Sequence, residues 1–337
     1  MIKAVTYAVL IAAMVAFGFG VYRLAGALKS DTNHPVRPSS TSAVPLPDTM
    51  YVAQQGALYR FKGGQFQQIT GDNGWTEPSA SPDGSKLIVV SKHDNYSDLY
   101  VLSPEGNVEA QLTHHQSSQV EDNHWSFLPR FSADGSNLFY SYDNKDPYGS
   151  YRVDLAIFER SASQGGGALQ WTVPNQYTGG DTDPVPLRTG GLLYTKYSIN
   201  DSSQVHSQIW ITGAPGADGT ALTKPEEDCA QPALSPDQKT IAMICRHGSL
   251  SATQLVIAAY DQSGLGPETV LVSGQLAAQP AFSPDGKTIA FLAPVQQGGA
   301  FQLWTVPAIA SASPAAARPV TQNVGLDSGS APVWIRG

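Results

Sequence analysis

Seven histidines and a set of carboxylates are the residues of this chain best suited to bind metal or move protons, and they cluster along it. His34 stands apart near the start. His93, His206 and His247, and the run His114, His115 and His124, fall in polar stretches shared with Asp94, Asp98, Glu121, Asp122, Asp143 and Asp146; Asp181, Asp183, Glu226, Glu227 and Asp228 follow later. Imidazole and carboxylate together suit zinc or manganese. No pair shows the His-x-Glu-x-x-His spacing of a helical zinc site, and the stretches around Asp94–Asp98 and Asp143–Asp146 lack the central Gly and final Glu of a twelve-residue calcium loop. Polar loop tips account for the same residues. A Gly-x-Ser-x-Gly nucleophile elbow, a phosphate loop and a sialidase-type Asp box are all missing. The expectation is therefore no catalytic set and no cofactor, with zinc, manganese or calcium as the alternatives.

The two cysteines pose a geometric question. Cys229 and Cys245 are centred on Asp237, in a Ser-Pro-Asp-Gln turn, so a tight hairpin sets them opposite one another at disulfide distance. A one-residue change of register would instead leave two buried free thiols. A bridge would argue for an oxidising compartment.

The elements that carry these residues follow from an internal repeat. Pro78, Pro129, Pro184, Pro232, Pro280 and Pro332 recur at intervals of 48 to 55 residues, the period of a four-stranded propeller blade. Each proline but the last is followed at fixed order by the other marks. Turns such as Ser81-Pro82-Asp83-Gly84 and Ser283-Pro284-Asp285-Gly286 precede apolar runs such as Leu87-Ile88-Val89-Val90, where Pro presets φ, Asp bonds the turn backbone and Gly accepts positive φ. Then come a Leu or Ile with a following aromatic (Leu99-Tyr100, Ile209-Trp210, Leu303-Trp304) and a closing Leu-Thr or its like (Leu112-Thr113, Leu222-Thr223). The pattern predicts an all-β, six-bladed β-propeller. It starts near Met50 without an innermost strand and ends at Ala331–Ile335 with nothing else, so the C-terminal strand is expected to complete the first blade. In that topology the loops between second and third strands, and those between blades, open on one face around the channel, placing all the histidines except His34 there.

The linked marks, fullest at Phe282-Ser-Pro-Asp-Gly-Lys-Thr-Ile-Ala-Phe291, resemble the TolB-like six-bladed β-propeller family over roughly residues 50–337. The resemblance implies the fold and an extracytoplasmic setting, and it is weak for function, because related propellers serve as adaptors, peptidase domains and lyases. TolB itself resembles an α/β domain joined to a propeller; here only a short linker precedes the repeats, so a TolB-type role does not follow. Oligogalacturonate lyases are similar propellers in which histidines hold a divalent metal, and carried over to this chain the ligands would be His93, His115, His124 and His206.

The rest of the chain frames that propeller. Residues 1–29 contain an 18-residue apolar stretch, 4–21, with Ala25-Gly26-Ala27 behind it, and read either as a signal peptide or as a membrane-anchor helix; flanking charges leave its orientation open. Residues 30–48, with four prolines among Ser and Thr, form a linker, and 49–337 the propeller. The whole chain carries −8, and the first 48 residues hold four basic and two acidic groups, leaving 16 basic and 26 acidic in the propeller, net −10. That charge excludes nucleic acid as a natural partner. The expected function is a monomeric, extracytoplasmic, non-catalytic module binding a protein or cell-envelope component. Its expected face carries His93, Asp94, His114, His115, Asp122, His124, Asp143, His206 and His247. The alternative is a metal-dependent polysaccharide lyase.

Overall fold

The computed structural model describes residues 46, 48–143, 145, 154–163, 165–174, 178–247, 252–261, 264–309 and 316–336. The expected signal peptide or anchor at 1–29, most of the linker, and Asp146 lie outside them. Among the described residues no helix is long and apolar enough to cross a membrane.

Six antiparallel sheets form the propeller. Blade 2 runs Trp75–Ala80, Leu87–Lys92, Ser97–Leu102 and Val108–Gln111 from channel to rim; blade 3 runs Ser126–Phe131, Asn137–Asp143, Leu155–Ser161 and Leu169–Gln170. Blade 4 comprises Asp181–Pro186, Leu192–Ile199, Val205–Thr212 and Thr220–Ala221. Blade 5 comprises Cys229–Leu234, Thr240–Cys245, Gln254–Asp261 and Thr269–Val272, with the short Gly264–Leu265 also on its third strand. Blade 6 comprises Ala278–Phe282, Thr288–Pro294, Phe301–Pro307 and Arg318–Pro319. Blade 1 joins the two ends of the chain: Val333–Ile335 is its inner strand, beside Thr49–Gln54, Ala57–Lys62 and Gln65–Gln68. Met50 lies opposite Trp334 in that register.

The repeated residues have specific jobs. In blade 2 the Ser81 hydroxyl donates to Asp83, whose carboxylate also accepts from the Ser85 N–H, while Ser81 Oγ accepts from Lys86 N–H. Blade 3 repeats this with Ser132, Asp134 and Ser136. These bonds from hydroxyl and backbone hold both aspartates at about 2. The closing threonine returns to its own blade: Thr70, Thr113, Thr172, Thr223 and Thr321 each accept, through Oγ1, the N–H of the third-strand Leu or Ile. Those N–H groups are buried and would otherwise lack a partner. In blade 5 Val272 stands where the threonine would be, and here the outer strand itself pairs Val272 with Leu255.

Apolar residues from facing sheets interdigitate between blades, which is why the second strands are buried almost end to end. The seam between blades 6 and 1 packs Leu292, Leu303 and Val320 against Met50, Val52, Phe61 and Trp334. Leu46, within the expected linker, joins it.

Candidate functional site

The inner strands meet around the channel, and in blades 2 to 6 each carries its proline within a β-bulge. The residue before the proline adopts left-handed φ in five blades: Glu77 (50°), Leu128 (53°), Asp183 (52°), Gln231 (56°) and Gln279 (54°). That conformation costs roughly 1–2 kcal/mol for a residue with a Cβ, and hydrogen bonds from blade to blade offset it. Glu77 N–H donates to Ser330 Oγ at 2.9 Å, and Leu128 N–H to the Glu77 carboxylate. Gln231 N–H donates to Thr195 Oγ1, Gln279 N–H to Gln231 Oε1, and Gln279 Nε2 to the Gly329 carbonyl. The relay has its gap where Leu128 offers no acceptor to blade 4. Beside it lie Arg130 and Asp183, whose charges act on one another and on Glu77.

Burial pushes the Glu77 carboxyl up from 4.5 to about 7, against the lowering effect of the Leu128 N–H, Lys92 and Arg130. Folded Glu77 therefore holds its proton more tightly than the unfolded chain does, so its contribution to stability falls as pH rises between 4.5 and about 7. Glu77→Gln keeps an oxygen for Leu128 and removes the titration. Thermal unfolding from pH 4.5 to 8 should show the variant gaining on the wild-type chain as pH rises; a constant difference would contradict this account of Glu77.

The described histidines fall in separate groups. His93 is exposed, stacks on Tyr96 at 4.4 Å between centroids and contacts Ser91 Oγ through Nε2. Asp94 beside it is exposed, as are His114 and Asp122. His115 and His124 come together, ring centroids 6.0 Å apart, with Tyr142 against both. Their Nδ1 atoms donate to the backbone carbonyls of Ser97 and Asp143, leaving Nε2 for other partners. Burial pushes the His115 imidazole down and the Asp143 carboxyl up. His206 is on blade 4, its buried Nδ1 without a hydrogen-bond partner, and His247 pairs with Glu268 at 3.3 Å.

Several residues expected on loops are strand residues instead. Asp98 lies in the third strand of blade 2, buried because Thr113 Oγ1, His115 N–H and Gln111 Nε2 all donate to it. Asp143 ends the second strand of blade 3, His206 belongs to the third strand of blade 4, and Asp181 and Asp183 form part of its inner strand. Among the described residues, one group brings three metal-ligating residues within 4.8 Å of one another, and it is Cys229, Cys245 and Glu268; His93, His115, His124 and His206 are not in it. The cysteines form a disulfide, directly opposite in the ladder.

A depression of about 650 Å³ at the channel mouth reaches across blades 4, 5, 6 and 1. Val205, Leu276 and Phe301 supply apolar wall, Gln231 the floor, and the Arg246–Asp228 ion pair at 2.6 Å a charged rim. A second cleft of about 790 Å³ lies over blade 2, between Asp72–Gly74 and His93–Tyr96. Sequence reading missed the channel residues Glu77, Gln231 and Gln279. Their signal is a polar residue directly before the repeated proline.

Backbone comparison places this ring among solved propellers. TolB from Acinetobacter baumannii superposes with a TM-score of 0.62 at 17% identity, over 87% of this chain and 68% of that one. The fold is a TolB-like β-propeller. A protein described as TolB from Agrobacterium tumefaciens gives 0.60 at 14% identity, over 87% of this chain and all of that one. Hydrazine synthase of Kuenenia stuttgartiensis gives 0.63 at 13% identity, over 87% of this chain and 47% of that one. The same architecture thus occurs in proteins of different function. No family model matches the sequence, and no curated protein matches it significantly.

Proposed function

We propose that this chain is a non-catalytic, extracytoplasmic binding module whose loop face, at the channel mouth, holds a segment of a protein or envelope partner. The observation that carries this reading is the distribution of exposed apolar side chains. Of nine exposed large hydrophobics among the described residues, six stand on loops or strand ends of this face: Val120, Val173, Ile199, Val205, Leu276 and Val295. Exposed apolar groups gathered on one face mark interaction surfaces, whereas scattered ones need no explanation. The propeller's net charge of −10 favours a neutral or basic segment over an anionic sugar polymer. The buried disulfide supports an oxidising compartment, and the apolar segment 4–21 supports export, by cleavage or as an anchor.

The test is capture from detergent-solubilised envelope of the source organism with the full chain and with a Val205→Glu/Leu276→Glu double variant. The wild-type chain should retain a partner that the variant loses by tenfold or more. Equal retention would place the partner elsewhere. Turnover of a uronate polymer by wild-type protein carrying one manganese or zinc per chain would replace this reading with the lyase.

A further inference from the structure

We propose that Cys229, Cys245, Glu268 and His247 form a latent zinc site, masked by the disulfide and opened when a dithiol reduces it. The site borders the binding face, since His247 is among that face's expected residues and Cys245 lines its depression. Cys229 and Cys245 are directly opposite on the inner and second strands of blade 5 and fully buried. Their sulfur atoms and a carboxylate oxygen of Glu268 all lie within 4.8 Å of one another. The Glu268 carboxylate is in turn 3.3 Å from His247 Nε2. Together these supply two sulfurs, one oxygen and one nitrogen, a full tetrahedral set for zinc.

The distances fit. With Zn–S near 2.3 Å and Zn–N or Zn–O near 2.0–2.1 Å, a tetrahedron has a sulfur-to-sulfur edge of about 3.8 Å and a nitrogen-to-oxygen edge of about 3.3 Å. The His247–Glu268 separation is already at that edge, 3.3 Å. The sulfurs must part, which cleavage of the bond between them permits, since each cysteine is held by its own strand, and the His247 side chain must swing towards them, because it lies outside the group of ligand atoms within 4.8 Å of one another. Entry is from the His247 side: the side chains of His247 and Glu268 are 34% and 23% exposed, whereas both cysteines are at 0%.

The chemistry balances. A dithiol gives two electrons and two protons to the bridge, becoming a disulfide itself and leaving two cysteine thiols; zinc then displaces the two thiol protons to bind thiolates. In the oxidised chain the sulfurs are bonded to each other and offer no thiolate. The bridge and the ion are alternative clamps on the same hairpin.

The experiment uses the full chain, oxidised or reduced with a phosphine that does not bind zinc, and reads zinc stoichiometry by native mass spectrometry and cobalt substitution by absorbance. The reduced chain should take up one zinc and show the intense visible bands and sulfur charge-transfer absorption of tetrahedral cobalt; the oxidised chain should take up none. Glu268→Gln and His247→Ala should each weaken uptake at least tenfold. Near-ultraviolet circular dichroism must show that the zinc-bound reduced chain is folded. No uptake by the reduced chain, uptake only by unfolded chain, or uptake unaffected by either variant would overturn the proposal.

Discussion

Deleting residues 328–337 should abolish the folded propeller, leaving a chain that aggregates or is rapidly degraded. The deletion removes Val333–Ile335, the inner strand of blade 1, and with it the register that sets Thr49, Met50 and Tyr51 against Ile335, Trp334 and Val333. It opens one sheet edge in blade 1 and uncovers the seam between blades 6 and 1, and unpaired edges template association between chains. Ser330, which accepts the Glu77 N–H, goes as well. A milder form of the same experiment isolates one side chain. Trp334 is 9% exposed and donates from Nε1 to the Ala281 carbonyl, so Trp334→Ala should cost about 3–5 kcal/mol. At ~2–4 °C per kcal/mol for a domain approaching this size, melting should fall by roughly 10 °C. Differential scanning calorimetry checks both; a deletion that melts like the intact chain would contradict closure by the C-terminal strand.

Loss of the disulfide should produce the next largest effect. The bridge spans a sequence separation of 16, and a loop of this length corresponds to about 3 kcal/mol of stabilisation through the unfolded chain. Cys229→Ser/Cys245→Ser, or reduction in the presence of a chelator, should therefore lower melting by about 6–12 °C while leaving circular dichroism at 25 °C unchanged. The fold should survive because the surrounding cluster, including Ile241, Met243 and Val256, remains buried. Melting unaffected by reduction would mean the bridge constrains nothing that the hairpin does not already fix.

What was legible in the sequence was local or strictly periodic. Ser-x-Asp-Gly specifies its turn through bonds made within five residues, as Ser81, Asp83 and Lys86 show, and the spacing of the prolines counts the blades without any long-range information. Cys229 and Cys245 could be paired because a single hairpin fixes their register, although the choice between bridge and thiols needed the structure. Contacts between blades were not legible. Glu77 matters because its carboxylate meets the Leu128 N–H, 51 residues away, and Glu268 because its side chain reaches a different hairpin of its blade. Position in the repeat places the carboxylates of Asp98 and Asp183 on loops. Both are buried instead, since hydroxyl, amide or backbone donors satisfy them: Thr113 for the first, the adjacent Thr182 for the second. Whether the histidine groups converge depends on blade-to-blade distances that no spacing encodes.

The most direct test of the central claim is hydrogen–deuterium exchange of the full chain, free and with its captured partner. Bound partner should protect amides at the channel-mouth loops, around Val120, Val205, Leu276 and Val295, and leave the Ser-x-Asp-Gly turns at the opposite end of the blades unchanged. Protection confined to those turns or to the outer strands, with the channel-mouth loops exchanging as in the free chain, would contradict it.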